Sequence, residues 1–319
     1  MKFLLLGYWK TNDGPSNVNR AFVLNADKSM RYLTWKRFGR IERIIKCIFS
    51  NPIVVSGGIT PTELRLVKLL KKKLIHIVHG YRKYENEINH LQLPTEIIAS
   101  EAESLHLSRR ILPVSEKYAV WVKNQMPAYA SKISFLNNGV TIERRTKIAK
   151  KQYSIAVSGG NRSIKNNAIV CDAVANLINR GYDCKVHVFG RFYEGGDDFS
   201  KYPFVEVKGH LTKEEYYKEL DSISLFVVNS ELESFGLVVA DAINCNCSLL
   251  MADNVGASSI FKLLDCDIIY NNHNVDEVSS KILYLLQNDN SERLYQTLDL
   301  EEISEKKAFQ NLKKIASEV

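Results

Sequence analysis

Short apolar runs recur along the chain, most of them closing on glycine or small polar residues, with segments of helical periodicity between them. "KFLLLGY" (2–8), "PIVVSGG" (52–58), "LIHIVHG" (74–80), "RRILPVS" (109–115) and "ISFLNNG" (133–139) read as strands buried on both faces, where apolar and polar positions have no reason to alternate. Between them, "DGPSNVNRAF" offers Pro15 for a first helical turn and Ser16 or Asn17 for its orphan amides. "TPTELRLVKLLKKKL" offers Thr60 as a cap with Pro61 behind it. The pattern then restarts. "YSIAVSGG" (153–160), "CKVHVFG" (184–190), "FVEVKG" (204–209), "ISLFVVNS" (223–230), "SLLMA" (248–252) and "CDIIYNN" (266–272) read as strands. "IKNNAIVCDAVANLINRG" (164–181) reads as one amphipathic helix closed by Gly181, "TKEEYYKELDS" (212–222) as another, and a further helix is expected from about Phe235. From Val275 on the chain reads as helical and charged.

Strand alternating with helix predicts parallel sheets covered on both faces, an α/β fold. The restart predicts two Rossmann-like domains, residues 1–145 and 152–300, joined by the polar, unpatterned "ERRTKIAKKQ" (143–152). Residues 301–319 are expected to form a C-terminal helix packing back on the N-terminal domain. In such sheets ligands bind outside the carboxyl ends of the strands. The glycine and polar clusters "GYWKTNDGP", "VSGG", "VHG", "SGGNR", "VFGR", "VKGH" and "VNSELESFG" all fall at such ends. Two domains facing each other across an interdomain cleft would then hold one small ligand.

Charge adds an asymmetry. Residues 1–150 carry 26 Lys and Arg against 11 Asp and Glu, a net of +15, and residues 151–319 carry 17 against 25, a net of −8. Two domains with different partners are implied. Basic runs such as "TWKRFGRIERIIK" (34–46) and "LLKKKL" (69–74) fit solvated helix faces, an anionic membrane surface or nucleic acid. A nucleic-acid partner does not account for the strand-end clusters and is not expected. The N-terminal apolar run, Phe3 to Leu6, is too short for a signal-peptide core, and no stretch approaches the ~18 consecutive apolar residues of a spanning helix. The six cysteines include no C-x-x-C pair and read as buried hydrophobes in a reducing compartment. A cytoplasmic protein is expected.

Two constellations carry chemistry. Gly159 and Gly160 let backbone amides approach a ligand, Asn161 follows, Arg162 adds a planar fork and Lys165 a point charge, which suits a pyrophosphate. The spacing matches neither a P-loop nor G-x-G-x-x-G. Glu233 is expected at a helix N-terminus with the free amides of Ser234, Phe235, Gly236 and Leu237 beside it. Asp241 would lie two helical turns on, ~12 Å by helical rise. Two diol-binding carboxylates separated by amide donors suit a sugar, a diphosphate and a ribose laid end to end. Glu231 lacks both the Phe-Gly neighbour and the separation. Gly14 permits close approach of a ligand. His79 ends its strand whereas His76 sits within it, and His210 follows the strand in "VKGH". No metal or other cofactor is expected.

Taken in order, these segments resemble retaining family 4 glycosyltransferases of the GT-B fold, whose E-x7-E motif stands here as E-x7-D in "ESFGLVVADAINCNCSLL". "SGGNRSIKN", "IVHG", "ILPVS", "ISFLNNGV" and the glycine of "DGPSNVNRAF" resemble further segments of that family, so the likeness covers most of the chain. It implies a nucleotide-sugar donor, with UDP-sugars as the common case, and a glycan or lipid-linked acceptor in polysaccharide or glycoconjugate synthesis. It implies that Glu233 binds donor-sugar hydroxyls, that Asp241 binds the ribose, and that Arg162 and Lys165 neutralise the departing diphosphate. The amides around Phe235 to Leu237 would contact sugar and phosphate. Gly14 would admit the donor, and His79 would lie near the transferred sugar and the acceptor. It further implies retention at the anomeric carbon and docking of the basic domain on the inner face of a membrane. The sequence departs from the family at Asp241, at "INCNCSL", which lacks the usual Gly and Pro, and at an N-terminal loop with a single glycine. A non-catalytic donor-binding subunit and a sugar-nucleotide epimerase stand as alternative readings.

Overall fold

The computed structural model describes residues 2–11, 13–34, 39–49 and 52–319. Trp35 to Phe38, within the first basic run, lie outside the described residues. The chain divides into two compact units, one of Met1–Glu87, Leu91–Thr141 and Leu300–Val319, the other of Ile88–His90 and Ile142–Asp299.

In the first unit β1 (Phe3–Leu5), β2 (Met30–Arg31), β3 (Ile53–Ser56), β4 (Lys73–Val78) and β5 (Ser108–Pro113) form a parallel sheet ordered β2-β1-β3-β4-β5. Its helices are α1 (Gly14–Leu24), α2 (Gly39–Phe49), α3 (Pro61–Leu69), α4 (Arg82–Ile88), α5 (Thr95–Leu107), α6 (Glu116–Gln125) and the C-terminal α12 (Glu305–Ser317). β1 and β3 are buried along their whole length, which is why they read as unbroken apolar runs. Asp13 starts α1, its carboxylate accepting from the Ser16 amide at 2.8 Å. Thr60 and Glu63 start α3 with a reciprocal capping box. Leu4, Val54, Leu64, Val67 and Leu74 meet in one core beneath these helices.

In the second unit β6 (Ser154–Ser158), β7 (Lys185–Phe189), β8 (Val205–Gly209), β9 (Leu225–Val228), β10 (Ser248–Ala252) and β11 (Ile268–Ile269) form a parallel sheet ordered β11-β10-β9-β6-β7-β8. α7 (Asn167–Asn179), α8 (Lys213–Leu220), α9 (Val238–Asn244), α10 (Val275–Gln287) and α11 (Ser291–Gln296) connect and cover it. Ile155, Val157, Val174, Leu177, Val186 and Ile282 belong to one core cluster of this unit. The strand order reverses between β6 and β9, so the loops after these two strands flank a topological switch point, the usual ligand position in such sheets.

Three expected elements differ. "ISFLNNG" forms no strand. Its amides donate to the rim of β5, Ser134 to Ile111 and Leu136 to Pro113, but Pro113 has no N–H to return. The helix expected over 164–181 is broken: a 3-10 turn at Ser163–Lys165 ends on Asn166, whose φ of +50° is left-handed, and α7 begins after it. The helix expected from Phe235 begins at Val238, because Gly236 has φ of +97° and the chain before it is bound to the loop after β10. Gly256 N donates to Glu233 O at 2.9 Å, and Ala257 N to Phe235 O at 2.7 Å. The polar segment 143–152 is strapped to the second unit, with Arg145 paired to Asp221 at 2.8 Å and Glu143 N bonded to Asn244 Oδ1 at 2.6 Å.

Candidate functional site

The loop after β6 is built from close backbone approaches. Gly159 and Gly160 have φ of +96° and +65°, where a side chain is strained. A Cβ on Gly160 would lie 1.9 Å from the carbonyl oxygen of Arg191, beyond the end of β7, so the two strand ends meet at main-chain distance. Buried Asn167, at the start of α7, donates to Ser158 O and to Gly160 O at 2.8 Å and fixes the loop from beneath. Asn161 is buried, and both ends of its amide are bound to the main chain of Tyr193, accepting from its N–H at 2.8 Å and donating to its carbonyl at 2.9 Å. Its side chain therefore anchors the next loop. Arg162 reaches back to Gly159 O at 3.3 Å.

The structure brings Lys165 and Glu233 together. Lys165 Nζ pairs with the Glu233 carboxylate, both side chains mostly covered, and Lys165 also packs over Gly159. Glu233 sits in a bridge to Val255, ahead of the helix rather than at its first turn, which corrects the helix-terminal placement expected for it. The ~12 Å helical spacing to Asp241 does not apply, since the intervening residues turn before α9 starts. Ser234, Phe235, Gly236 and Leu237 form that turn. Among the described residues the N–H groups of Phe235, Gly236 and Leu237 find no acceptor, which leaves three donors beside the carboxylate.

Asp241 lies in the first turn of α9 and is held by α8, taking Lys213 Nζ at 2.7 Å and the Tyr217 hydroxyl at 2.8 Å. His210 is exposed beyond the end of β8. Glu231, set aside from the sequence, is a hub. Its carboxylate accepts from His273 Nε2 at 2.7 Å, Asn272 Nδ2 at 3.1 Å and Asn166 Nδ2 at 3.3 Å, tying the residue after Lys165 to the strand end that carries Glu233. These partners lie far apart in sequence, and their residue types alone gave no signal. Lys213 and Tyr217 lie one turn apart on α8, and only that spacing on a predicted helix could have linked them.

His79 and Gly14 belong to the first unit. His79 follows β4 and lies against Gly57, and its Nε2 is enclosed without a partner among the described residues. Burial pushes its pKa down to about 4, against the opposing pull of Asp13, so the ring is neutral at pH 7. Burial competes at Asp13 too, but hydrogen bonds from Thr11 and Ser16 bring that carboxyl below its ordinary value. Gly14 opens α1 with no atom within 4 Å of where a Cβ would stand, so its surface is free to approach. His76 is buried, 3.4 Å from Ser104 Oγ, and burial pushes it down to about 3.

Residues 141–297 match the family model of glycosyl transferases group 1. That segment contains the Gly159–Lys165 loop, Glu233, the unbonded amides and Asp241. A search of curated proteins finds no match. Among solved structures, the chain is similar to Anabaena HepE in complex with UDP and glucose, at 12% identity and a TM-score of 0.71, covering all of both chains. It is similar to the lipopolysaccharide outer core galactosyltransferase WaaB in its apo form, at 15% identity and a TM-score of 0.65, again over all of both chains. Against TarM the identity is 16% and the TM-score 0.64, over 83% of this chain and 54% of that one. Two parallel Rossmann-like sheets, in a chain similar to these structures over its whole length, are the GT-B fold.

Proposed function

We propose that the chain is a retaining glycosyltransferase that takes a sugar from a nucleotide-sugar donor, a UDP-sugar first, and passes it to a glycan or lipid-linked acceptor in polysaccharide or glycoconjugate synthesis. One observation carries this reading: a Lys165–Glu233 pair beside three unbonded amides, at the switch point of the segment that matches group 1 glycosyl transferases. In this reading the diphosphate takes Lys165 from Glu233, and the released carboxylate accepts hydroxyls of the donor sugar. The bond from the anomeric carbon to the diphosphate breaks, and the acceptor oxygen bonds to that carbon on the same face. The acceptor proton goes to the departing phosphate oxygen. Negative charge grows on that diphosphate, so Lys165, Arg162 and the amides of Phe235 to Leu237 stabilise the transition state. Asp241 with Tyr217 holds the ribose. Positive charge comes from side chains instead of a metal. Asn161 acts indirectly, by fixing the neighbouring loop. The first unit engages the acceptor, with His79 near the transferred sugar and Gly14 admitting the donor, and its charge suits work at the cytoplasmic face of a membrane.

A thermal-shift panel of UDP-, GDP- and ADP-sugars tests the donor half. At least one is expected to raise the melting temperature, UDP-sugars most, and a panel without any shift would sink the reading. Glu233→Gln removes the carboxylate charge at near-constant shape. It is expected to lower turnover by about 10²-fold or more, the scale seen when one transition-state group is lost. Turnover equal to wild type would remove Glu233 from the transfer step, whereas a chain that binds a donor but transfers nothing would be a donor-binding subunit.

A further inference from the structure

Asp241 is one methylene shorter than the Glu of the motif it resembles, and its carboxylate is bound on one side only. Lys213 Nζ and the Tyr217 hydroxyl both donate to the same oxygen, Oδ1, at 2.7 and 2.8 Å. Two donors fill the two lone pairs of that oxygen. Among the described residues Oδ2 has no partner, and 16% of the side chain stays open.

The two donors are themselves fixed. Lys213 and Tyr217 lie one turn apart on α8, and the Lys213 ammonium stands 4.6 Å from the centre of the Tyr217 ring. The Arg145 guanidinium lies 5.4 Å from the same ring centre and is held in turn by both oxygens of Asp221. Tyr216 stacks on Tyr217 at 6.2 Å and 25°, and meets Phe189 at the end of β7 edge-on at 5.1 Å. Burial and the charge of Asp241 hold the Tyr217 phenol above its ordinary value, so at pH 7 it is protonated and donates.

A carboxylate with both oxygens open can span the two hydroxyls of a ribose, whereas one with Oδ1 filled presents a single oxygen. We infer that Lys213 and Tyr217 are positioning residues that commit Oδ1 of Asp241 to α8, so that Oδ2 alone meets the donor and recognises one ribose hydroxyl. The nucleotides this site takes then include the nucleoside diphosphate that lacks the other hydroxyl. Donor binding does not undo the arrangement. A diphosphate can draw Lys165 from Glu233, but a ribose is neutral and offers Lys213 no anion in exchange. The inference rests on the reading of Asp241 as the ribose ligand.

Titration calorimetry of the full chain with UDP, 2′-deoxy-UDP and 3′-deoxy-UDP tests it. Where GDP or ADP gives the larger melting shift in the donor panel, that nucleotide and its two deoxy forms replace them. One deoxy form is expected to bind within about twofold of its parent and the other about tenfold or more weaker, the scale of one hydrogen bond to a charged group. Lys213→Met/Tyr217→Phe keeps the bulk of both side chains and frees the carboxylate. The gap between the two deoxy forms is then expected to close to about threefold or less, because neither hydroxyl meets a preorganised oxygen. Lys213→Arg, which can still occupy Oδ1, is expected to keep the gap. A merely structural role for the two residues would weaken all three nucleotides alike and leave the gap as it was, which overturns the proposal. Equal losses with the two deoxy forms in wild type, or no loss with either, also overturn it while donor binding stands. A chain that binds none of UDP, GDP and ADP overturns the donor reading and this inference with it.

Discussion

Lys165 and Glu233 stand 68 positions apart, and the fold makes them partners. Each was legible alone, Lys165 from its place after a glycine turn and Glu233 from its Phe-Gly neighbour. Their contact was not, because it depends on β6 and β9 being adjacent, which no local pattern encodes. Asn161 was misleading for a similar reason: its residue type fits ligand binding, but tertiary contacts consume its amide. His76 within β4 and His79 just after it show what burial does at this scale. His76 and His79 are held at about 3 and about 4, below an ordinary imidazole, with desolvation as the first cause. Near pH 6.5 the unfolded chain takes up protons that the folded chain refuses, so stability is fully present above that pH and falls below it. The fall continues towards pH 4 and then pH 3, at ~1.4 kcal/mol per pH unit for each group within its window. The melting temperature should therefore drop between pH 7 and pH 4.5. In His76→Leu the slope should flatten by about one proton. Ser104 Oγ would keep its bond to Glu101 O at 2.8 Å, so the substitution strands no polar atom there. An unchanged slope would mean that His76 titrates normally in the folded chain.

Strands were the most legible elements, since a strand buried on both faces is a run of apolar residues and nothing else. Helix boundaries were less so. Asn166 and Gly236, both with positive φ, cut helices that periodicity alone would continue. "ISFLNNG" has a strand's composition but lies beside a proline that cannot complete the ladder. α2 was the least legible, because its basic residues suggested a solvated face, and Arg43 is in fact buried against α3, where it pairs with buried Glu63. That pair makes a prediction about two elements at once. Arg43→Met keeps the bulk but leaves the Glu63 carboxylate buried without its cation. The expected cost is ~3–5 kcal/mol in denaturant unfolding. Arg43→Met/Glu63→Gln removes the stranded charge while a Gln side chain can still reach the Thr60 amide, so part of the loss should return. A double variant no better than the single one would show that the Arg43 bond to Gly58 O, rather than the ion pair, joins α2 to the loop after β3.

At the scale of the molecule, the chain keeps its two kinds of chemistry in different units. The donor-type features, Lys165, Glu233 and the unbonded amides, all fall in the second unit, whose residues 142–299 carry 17 Lys and Arg against 22 Asp and Glu, a net of −5. His79 and Gly14 fall in the other unit. Charge asymmetry in the sequence already pointed to separate partners, but not to the segments that meet them. Hydrogen exchange separates them directly. Amides without intramolecular partners exchange fast, and a ligand that accepts from them slows that exchange. UDP is expected to protect 159–165 and 234–238 and to leave 39–49 unchanged. Protection of 39–49 by UDP would mean that α2 responds to the nucleotide, and the first unit would then have to be counted with the donor chemistry.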